Sequence, residues 1–190
     1  SMQFIHLHNH SHYSLLDGLP KVPELVAEAK RLGMKAVALT DHGVMYGVIE
    51  FYQECIKNDI KPIIGVEFYL ARRGLKDKKP NIDAKPYHLI LLAKNNIGYN
   101  NLLKLTSIAH MEGFYYKPRI DWETLEKHHD GLIAMSACLN GQIPKTILAG
   151  DLKEANNLVV KYKELFGVDN FYLELQSHPG KEEQENVNKE

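Results

Sequence analysis

Cysteine is scarce: the 190 residues hold two, Cys55 and Cys138. No disulfide framework can be built from them, so the chain reads as intracellular and cytoplasmic rather than as a small secreted scaffold. A signal segment is lacking at the N-terminus, and no apolar run is long enough to cross a bilayer. No membrane partner is therefore expected. An excess of charge is also missing. With 23 Lys and Arg against 24 Asp and Glu, the formal net charge is -1. Nucleic-acid binding thus has no global electrostatic basis, and any such contact must come from a local patch. There is no internal repeat and no low-complexity segment. The length suits one domain, or part of a larger one, and an apolar fraction of 44% is enough for a substantial core.

What the chain has in quantity is histidine, and much of it lies in one place. His6, His8, His10 and His12 occupy alternate positions near the N-terminus, and Asp17 follows. In an extended segment residues two apart share a face. His8 and His10 can then present two imidazoles side by side, with Asp17 adding an oxygen. Such donors suit zinc, manganese or iron. An exposed edge strand could carry the same histidines without a metal. Interleaved Phe4, Ile5, Leu7, Tyr13, Leu15 and Leu16 argue against an expression tag, and only Ser1, ahead of Met2, reads as a cloning remnant.

Strand-like and helix-like patterns alternate along the chain. Strands are predicted at Gln3 to His8, Ala36 to Thr40, Ile63 to Leu70, His88 to Ala93, Gly131 to Met135 and Phe171 to Leu175. Helical spacing marks Val22 to Leu32 (ended by Gly33), Val48 to Lys57, and a long stretch around Leu102, Leu105 and Ile108. A further helix begins at Asp151, with Glu154 three residues on as in a capping box. Arg72 to Pro86 is polar and reads as a surface loop. This alternation implies an α/β fold with a mostly parallel sheet, in which functional residues gather at the C-terminal strand ends.

Several candidates fall at such ends. Thr40-Asp41-His42-Gly43 closes the second strand, where His42 is either a ligand or an incidental member of a turn capped by Asp41. Glu67 lies among apolar residues, where a carboxylate is costly unless paired or metal-bound. A salt bridge is one solution; bridging two metals is another. His88 opens its strand and reads either as a hydrogen-bonded strand histidine or as a ligand. Cys138 follows the fifth strand, whereas Cys55 is structural. His110, His128, His129 and His178 are read as non-ligands, and His6 as supporting or core. Phe114-Tyr-Tyr-Lys-Pro-Arg119 mixes aromatics with bases; it could stack on a base and hold a phosphate, or form a packed loop, which is the reading preferred.

Together, His8-Leu-His10, Tyr13-Ser-Leu-Leu-Asp17-Gly18, Thr40-Asp-His-Gly43 and Lys61-Pro-Ile-Ile-Gly-Val-Glu67 resemble the polymerase and histidinol phosphatase (PHP) domain. The similarity is greatest to the PHP domains that begin bacterial DNA polymerase III alpha subunits. Gly113 to Asp121 and Ser136-Ala-Cys-Leu139 extend it over essentially the whole chain. The resemblance implies a distorted seven-stranded TIM-like β/α barrel with up to three divalent metals. His8, His10 and Glu67 would form one site, Glu67, His88 and Cys138 a second, and Asp17 with His42 a third. It further implies a metal-dependent phosphoesterase with 3′–5′ exonuclease potential in DNA replication. No side chain stands out as a general base; Asp41 and His42 are the nearest candidates. DNA, the remainder of a polymerase chain, a proofreading exonuclease subunit and other replisome subunits are the implied partners. Two alternatives stand: a non-catalytic structural and docking domain, and a stand-alone phosphomonoesterase. The family's late Asp-x-His pair and seventh strand are not found before Glu190. The expectation is therefore a single PHP domain over 1–190, incomplete at its C-terminus, without the polymerase's catalytic regions.

Overall fold

The computed structural model describes residues 5–14, 20–176 and 182–189. Six strands and eight helices alternate along it. They are α1 (Val22–Arg31), β1 (Ala36–Leu39), α2 (Val48–Lys57), β2 (Lys61–Leu70), α3 (Pro80–Asp83), β3 (Tyr87–Ala93) and α4 (Asn96–Met111). There follow β4 (Arg119–Ile120), α5 (Trp122–His128), β5 (Leu132–Met135), α6 (Gln142–Leu148), α7 (Leu152–Phe166), β6 (Phe171–Tyr172) and α8 (Glu182–Lys189). The fold is mixed α/β, and no helix among the described residues is long and apolar enough to cross a membrane.

Local signals explain most boundaries. Helix α1 buries Val22, Val26 and Ala29 along one stripe and carries Lys30 and Arg31 in its last turn, where cations suit the helix dipole. Gly33, at φ 70°, turns the chain away. Asn95, Asp121 and Asp151 each accept a hydrogen bond from a backbone N–H in the first turn of α4, α5 and α7.

The sheet runs β1-β2-β3-β5-β6, with β4 added to β2. It is less parallel than expected. β3 is antiparallel to both β2 and β5, whereas β1–β2, β2–β4 and β5–β6 are parallel. The periodicity that marks a buried strand carries no information about its direction. Four other expectations shift. Residues 5–8 form no regular strand; they run beside β1 through bonds from Ala38 N–H to His6 O and from Thr40 N–H to Asn9 O. The strand β6 stops at Tyr172, short of Leu175. The 72–86 loop contains the one-turn helix α3, and Arg119–Ile120 forms the short strand β4. Asp17 and His178 lie outside the described residues.

Alternation in the strands divides the residues between two faces. Val66, Phe68 and Leu70 of β2, with Leu89 and Leu91 of β3, pack against Leu102 and Leu105 of α4, Leu125 of α5, and Tyr162 and Phe166 of α7. Val37 and Leu39 of β1 join α1 and α2. The opposite face holds Ile63, Ile90, Leu92, Ile133 and Met135, touched by Leu7. Glu67, Tyr69 and His88 belong to this second face, since Glu67 is opposite Ile90 and Tyr69 opposite His88. No backbone ladder closes the sheet among the described residues. Its first and last segments meet through side chains: His8 Nδ1 is 2.7 Å from Glu174 Oε1, and Gln176 lies beside both.

Helix α4 approaches the loop before β5 so closely that a Cβ on Gly98 would lie 1.9 Å from the carbonyl oxygen of Gly131. Backbone cannot yield as a flexible side chain does. Gly98→Ala is therefore expected to destabilise the fold by about 3 kcal/mol, the upper end for overpacking. Urea denaturation would detect this, and an unchanged midpoint would refute the tight packing of α4.

Candidate metal centre

A cleft of about 950 Å³ opens on this second face of the sheet, lined by His8, His10, His42, Glu67, His88 and Cys138 among others. Separate segments deliver these side chains. His8 and His10 come from the extended N-terminal segment. Beyond β1 the chain continues alongside β2: Glu67 N–H donates to Asp41 O, and Gly43 N–H donates to Glu67 O. This bridge sets His42 beside Glu67. His88, at the start of β3, reaches the same place because β3 runs antiparallel, so its first residues lie beside the end of β2. Cys138 follows β5 through Ala137, whose φ of 61° is unusual for a residue with a side chain.

The Glu67 carboxylate is the hub. It is 1% exposed. Its Oε2 lies 2.9 Å from His8 Nε2, 3.0 Å from His10 Nε2 and 3.4 Å from His42 Nδ1, and its Oε1 lies 2.6 Å from His88 Nδ1. His8 Nε2 and His10 Nε2 are only 3.1 Å apart. Donor atoms of His8, His10 and Glu67, and again of His42, Glu67 and His88, are close enough to share a cation. Cys138 shares a hydrogen bond with His88. A converging set of imidazole nitrogens, one carboxylate and a thiol is the donor chemistry of zinc, manganese or iron.

Asp41 has a different place. It is 2% exposed and accepts hydrogen bonds from Ser11 N–H at 2.7 Å, Ser11 Oγ–H at 2.7 Å and Ser14 Oγ–H at 2.8 Å. Its carboxylate is thereby engaged with the segment that carries His8 and His10. Among the histidines set aside, His110 Nε2 lies 2.8 Å from Gly43 O and ties α4 to the His42 turn. His129 Nδ1 lies 2.9 Å from Glu126 O at the end of α5. A second cavity, of about 900 Å³, lies farther along the same face. Its walls include Ile63, Leu92, Ile133 and Met135, with Lys61 and Lys94 but no His, Cys, Asp or Glu among its lining residues.

The family description of the PHP domain matches residues 6–178. The chain belongs to the PHP domain family. It is 53% identical over 187 residues to the DNA polymerase III subunit alpha of Borreliella burgdorferi, covering 98% of this chain and 16% of that one. Against the same subunit of Treponema pallidum the identity is 50%, with the same coverage. The chain thus spans 16% of the length of these curated relatives. Among solved structures, a putative metal-dependent phosphoesterase from Bifidobacterium adolescentis aligns with 58% of this chain and 35% of its own, at 18% identity and a TM-score of 0.40.

Sequence reading of this PHP domain passed over Glu174, Gln176, Ser11 and Ser14. Glu174 stands in a stretch read as a strand, and no periodic signal separates it from a solvent-facing carboxylate. Its contact with His8 spans 166 positions.

Electrostatics bind the centre together. Burial alone would push the His8 pKa down, but hydrogen bonds to Glu174 and Glu67 outweigh it and hold it up at about 10. Burial likewise opposes protonation of His88, and hydrogen bonds with Cys138 and Glu67 raise it to about 9. For Glu67, burial works against the charge, yet hydrogen bonds from His10, His8 and His88 carry its pKa well below the carboxylate range. In metal-free protein the raised imidazolium values contribute stability that is fully present below the ordinary histidine value of 6.5. That contribution is lost as pH rises through about 9 and about 10. Glu67 has the opposite window, contributing above its ordinary 4.5 and less as pH falls through its lowered value. Chelator-treated protein is therefore expected to lose melting temperature between pH 7 and pH 10, and Glu174→Gln to flatten the decline. Thermal melts followed by circular dichroism measure this; a parent melting temperature independent of pH over that range would contradict the His8 assignment.

Proposed function

We propose that this PHP domain is a metal-dependent phosphoesterase acting on DNA phosphodiesters from a 3′ end, as a 3′–5′ exonuclease within a replicative polymerase chain. The observation that carries the reading is the Glu67 carboxylate, buried and surrounded by four imidazoles. In this reading the residues form a single domain of the seven-stranded β/α barrel type, working in the cytoplasm. The remainder of a DNA polymerase III alpha chain, a proofreading exonuclease subunit and other replisome subunits are its proposed partners.

The donor atoms fit divalent metals. His8, His10 and Glu67 would hold one, Glu67, His88 and Cys138 a second, and His42 with Asp17 a third, with zinc, manganese or iron as the ions. Bound there, such ions lower the pKa of water to near neutral and neutralise charge on a phosphoryl group. The chain's own contribution is positional. Glu67 holds the imidazoles to one point. Asp41 fixes the N-terminal segment through Ser11 and Ser14, and is proposed as a positioning residue rather than a base. His42 faces the cleft and remains the candidate for moving a proton. Glu174, on Nδ1 of His8, orients that ring and raises its basicity, as carboxylate partners of metal-binding histidines do.

Two measurements test this. Metal content should fall in His8→Ala and in Glu67→Ala but not in His128→Ala; unchanged stoichiometry in both of the first two would sink the site assignment. Shortening of 3′-labelled DNA in manganese or zinc should fall by more than about 100-fold in His10→Ala, since even outer partners of a metal site are worth 10- to 100-fold. Metal retained without any shortening in the parent would instead make the centre structural.

A further inference from the structure

One side of β2 changes partners within the span that carries the centre. Its first residues pair with β1, and the last of those pairs joins Leu39 to Ile64. His42 still bridges to Glu67, but at Tyr69 the place is taken by Arg119 of β4, while β3 fills the other side of β2. Between these two partners the chain coming from β1 must leave the ladder. It does so at Gly43, whose φ is 62°. Gly43 N–H still reaches Glu67 O at 2.9 Å. Its carbonyl has no further place in the ladder, because β4 occupies it, and a backbone acceptor in such a position needs another donor. His110, in the last turn of α4, supplies one: with a proton on Nε2 it donates to Gly43 O over 2.8 Å.

The change of partner is tightly built. A Cβ on Gly43 would lie 3.2 Å from Pro118 Cγ and 3.5 Å from Tyr69 Cε2. The end of α4 is fixed to β4 in turn. A Cβ on Gly113 would lie 1.8 Å from Arg119 O, and the buried Arg119 side chain donates to Gly113 O at 2.9 Å. His110 is therefore carried on a rigid support. What it steadies is the residue next to Gly43. The His42 ring stacks on His10 at 4.2 Å and 9°, and runs parallel to the Tyr69 ring at 5.9 Å and 12°. Stacking sets the tilt of a ring but lets it slide in its own plane. The backbone then decides how near His42 Nδ1 comes to Glu67 Oε2. That distance is 3.4 Å, the longest of the four imidazole contacts to this carboxylate. His42 is thus the ring that Glu67 itself holds least firmly.

We infer that His110 is a positioning residue for the centre, which sets the His42 ring from outside the cleft by binding the carbonyl that the ladder leaves over. The inference rests on the proposed reading of His42 as part of the metal centre, although placing the ring does not require an ion. Glu174 steadies His8 by direct contact with its ring. His110 serves His42 through the main chain instead. Contacts one step removed from a metal-binding group are worth about 10- to 100-fold in affinity or activity. The bond acts on the His42 turn, so its effect belongs to that ring and not to His8 or His88.

The test compares His110→Ala with His110→Gln, whose side-chain amide can donate to the same carbonyl. Imidazole resonances in proton–nitrogen correlation spectra of the metal-free chain report ring placement. A zinc titration against a chelating dye reports affinity. In His110→Ala the His42 resonances are expected to move while those of His8 and His88 stay. Zinc affinity is expected to fall about 10-fold, the lower bound for such a partner. His110→Gln should restore both. His129, which makes a similar bond to Glu126 O at the end of α5, supplies the control, and His129→Ala should leave both readings as in the parent. The inference is overturned if the His42 resonances stay in place in His110→Ala, if those of His8 and His88 move with them, if His110→Gln fails to restore them, or if His129→Ala moves them as far. A parent that binds no zinc, with the His42 shift and its rescue intact, would uphold the positioning role and refute the metal-centre reading.

Discussion

The burial of one carboxylate governs this domain. Glu67 sits on the second face of β2 among Ile63, Ile90 and Met135, where an isolated charge would cost several kcal/mol even after relaxation. Four imidazoles meet it instead. The dependence is mutual, because all three segments bearing those imidazoles are irregular backbone or the first residues of a strand, and their convergence on Glu67 is part of what holds them. Loss of one member leaves the buried Glu67 and its other partners without a contact they share, so substitutions here are expected to be far from additive.

Precise placement of the donors comes from contacts a step away from them. Asp41 accepts three hydrogen bonds from the Ser11 to Ser14 turn, and Thr40 and Ala38 donate to the backbone before it. These pin the His8-Leu-His10 segment to β1 where no regular ladder does. At the far end of the sheet, Ser136 Oγ accepts from Glu174 N–H at 2.8 Å and so sets the carboxylate that holds His8. A chain of such contacts links the first and last parts of the domain across an open sheet.

Much of this was legible from residue order. Alternating His8 and His10, a glutamate inside an apolar strand and Asp41-His42 at a strand end are local signals, and the structure brings His8, His10, His42, Glu67, His88 and Cys138 around one cleft. What escaped was direction and distance. His88 seemed misplaced at a strand start until β3 proved antiparallel, since apolar periodicity is blind to strand polarity. Glu174 and Gln176 escaped because their meaning lies in a partner about 170 positions away. Arg119 belongs to a stretch that reads as a packed loop, with nothing local to mark the burial of its charge. It is fully buried, because three backbone carbonyls supply the acceptors that water would otherwise provide.

Net charge misleads for a related reason. A balance of -1 suggests indifference to polyanions. Yet several acids of this chain are engaged inside it: Glu67 pairs with histidines and Asp83 with Arg73, while Asp41 and Asp121 accept hydrogen bonds from serines and from backbone N–H groups. Counting these carboxylates against surface cations treats internal partners as if they screened the exterior. The field that an approaching phosphate meets is set by the charges left over at the surface, and beside the centre these include Lys117, which lies over the Tyr69 ring. A domain can therefore be neutral in sum and still carry cations locally, so net charge alone says little about what a single face attracts. Such attraction fades with added salt over a Debye length of about 10 Å at 0.1 M, so it acts on a phosphate that has reached the cleft and not on the molecule as a whole.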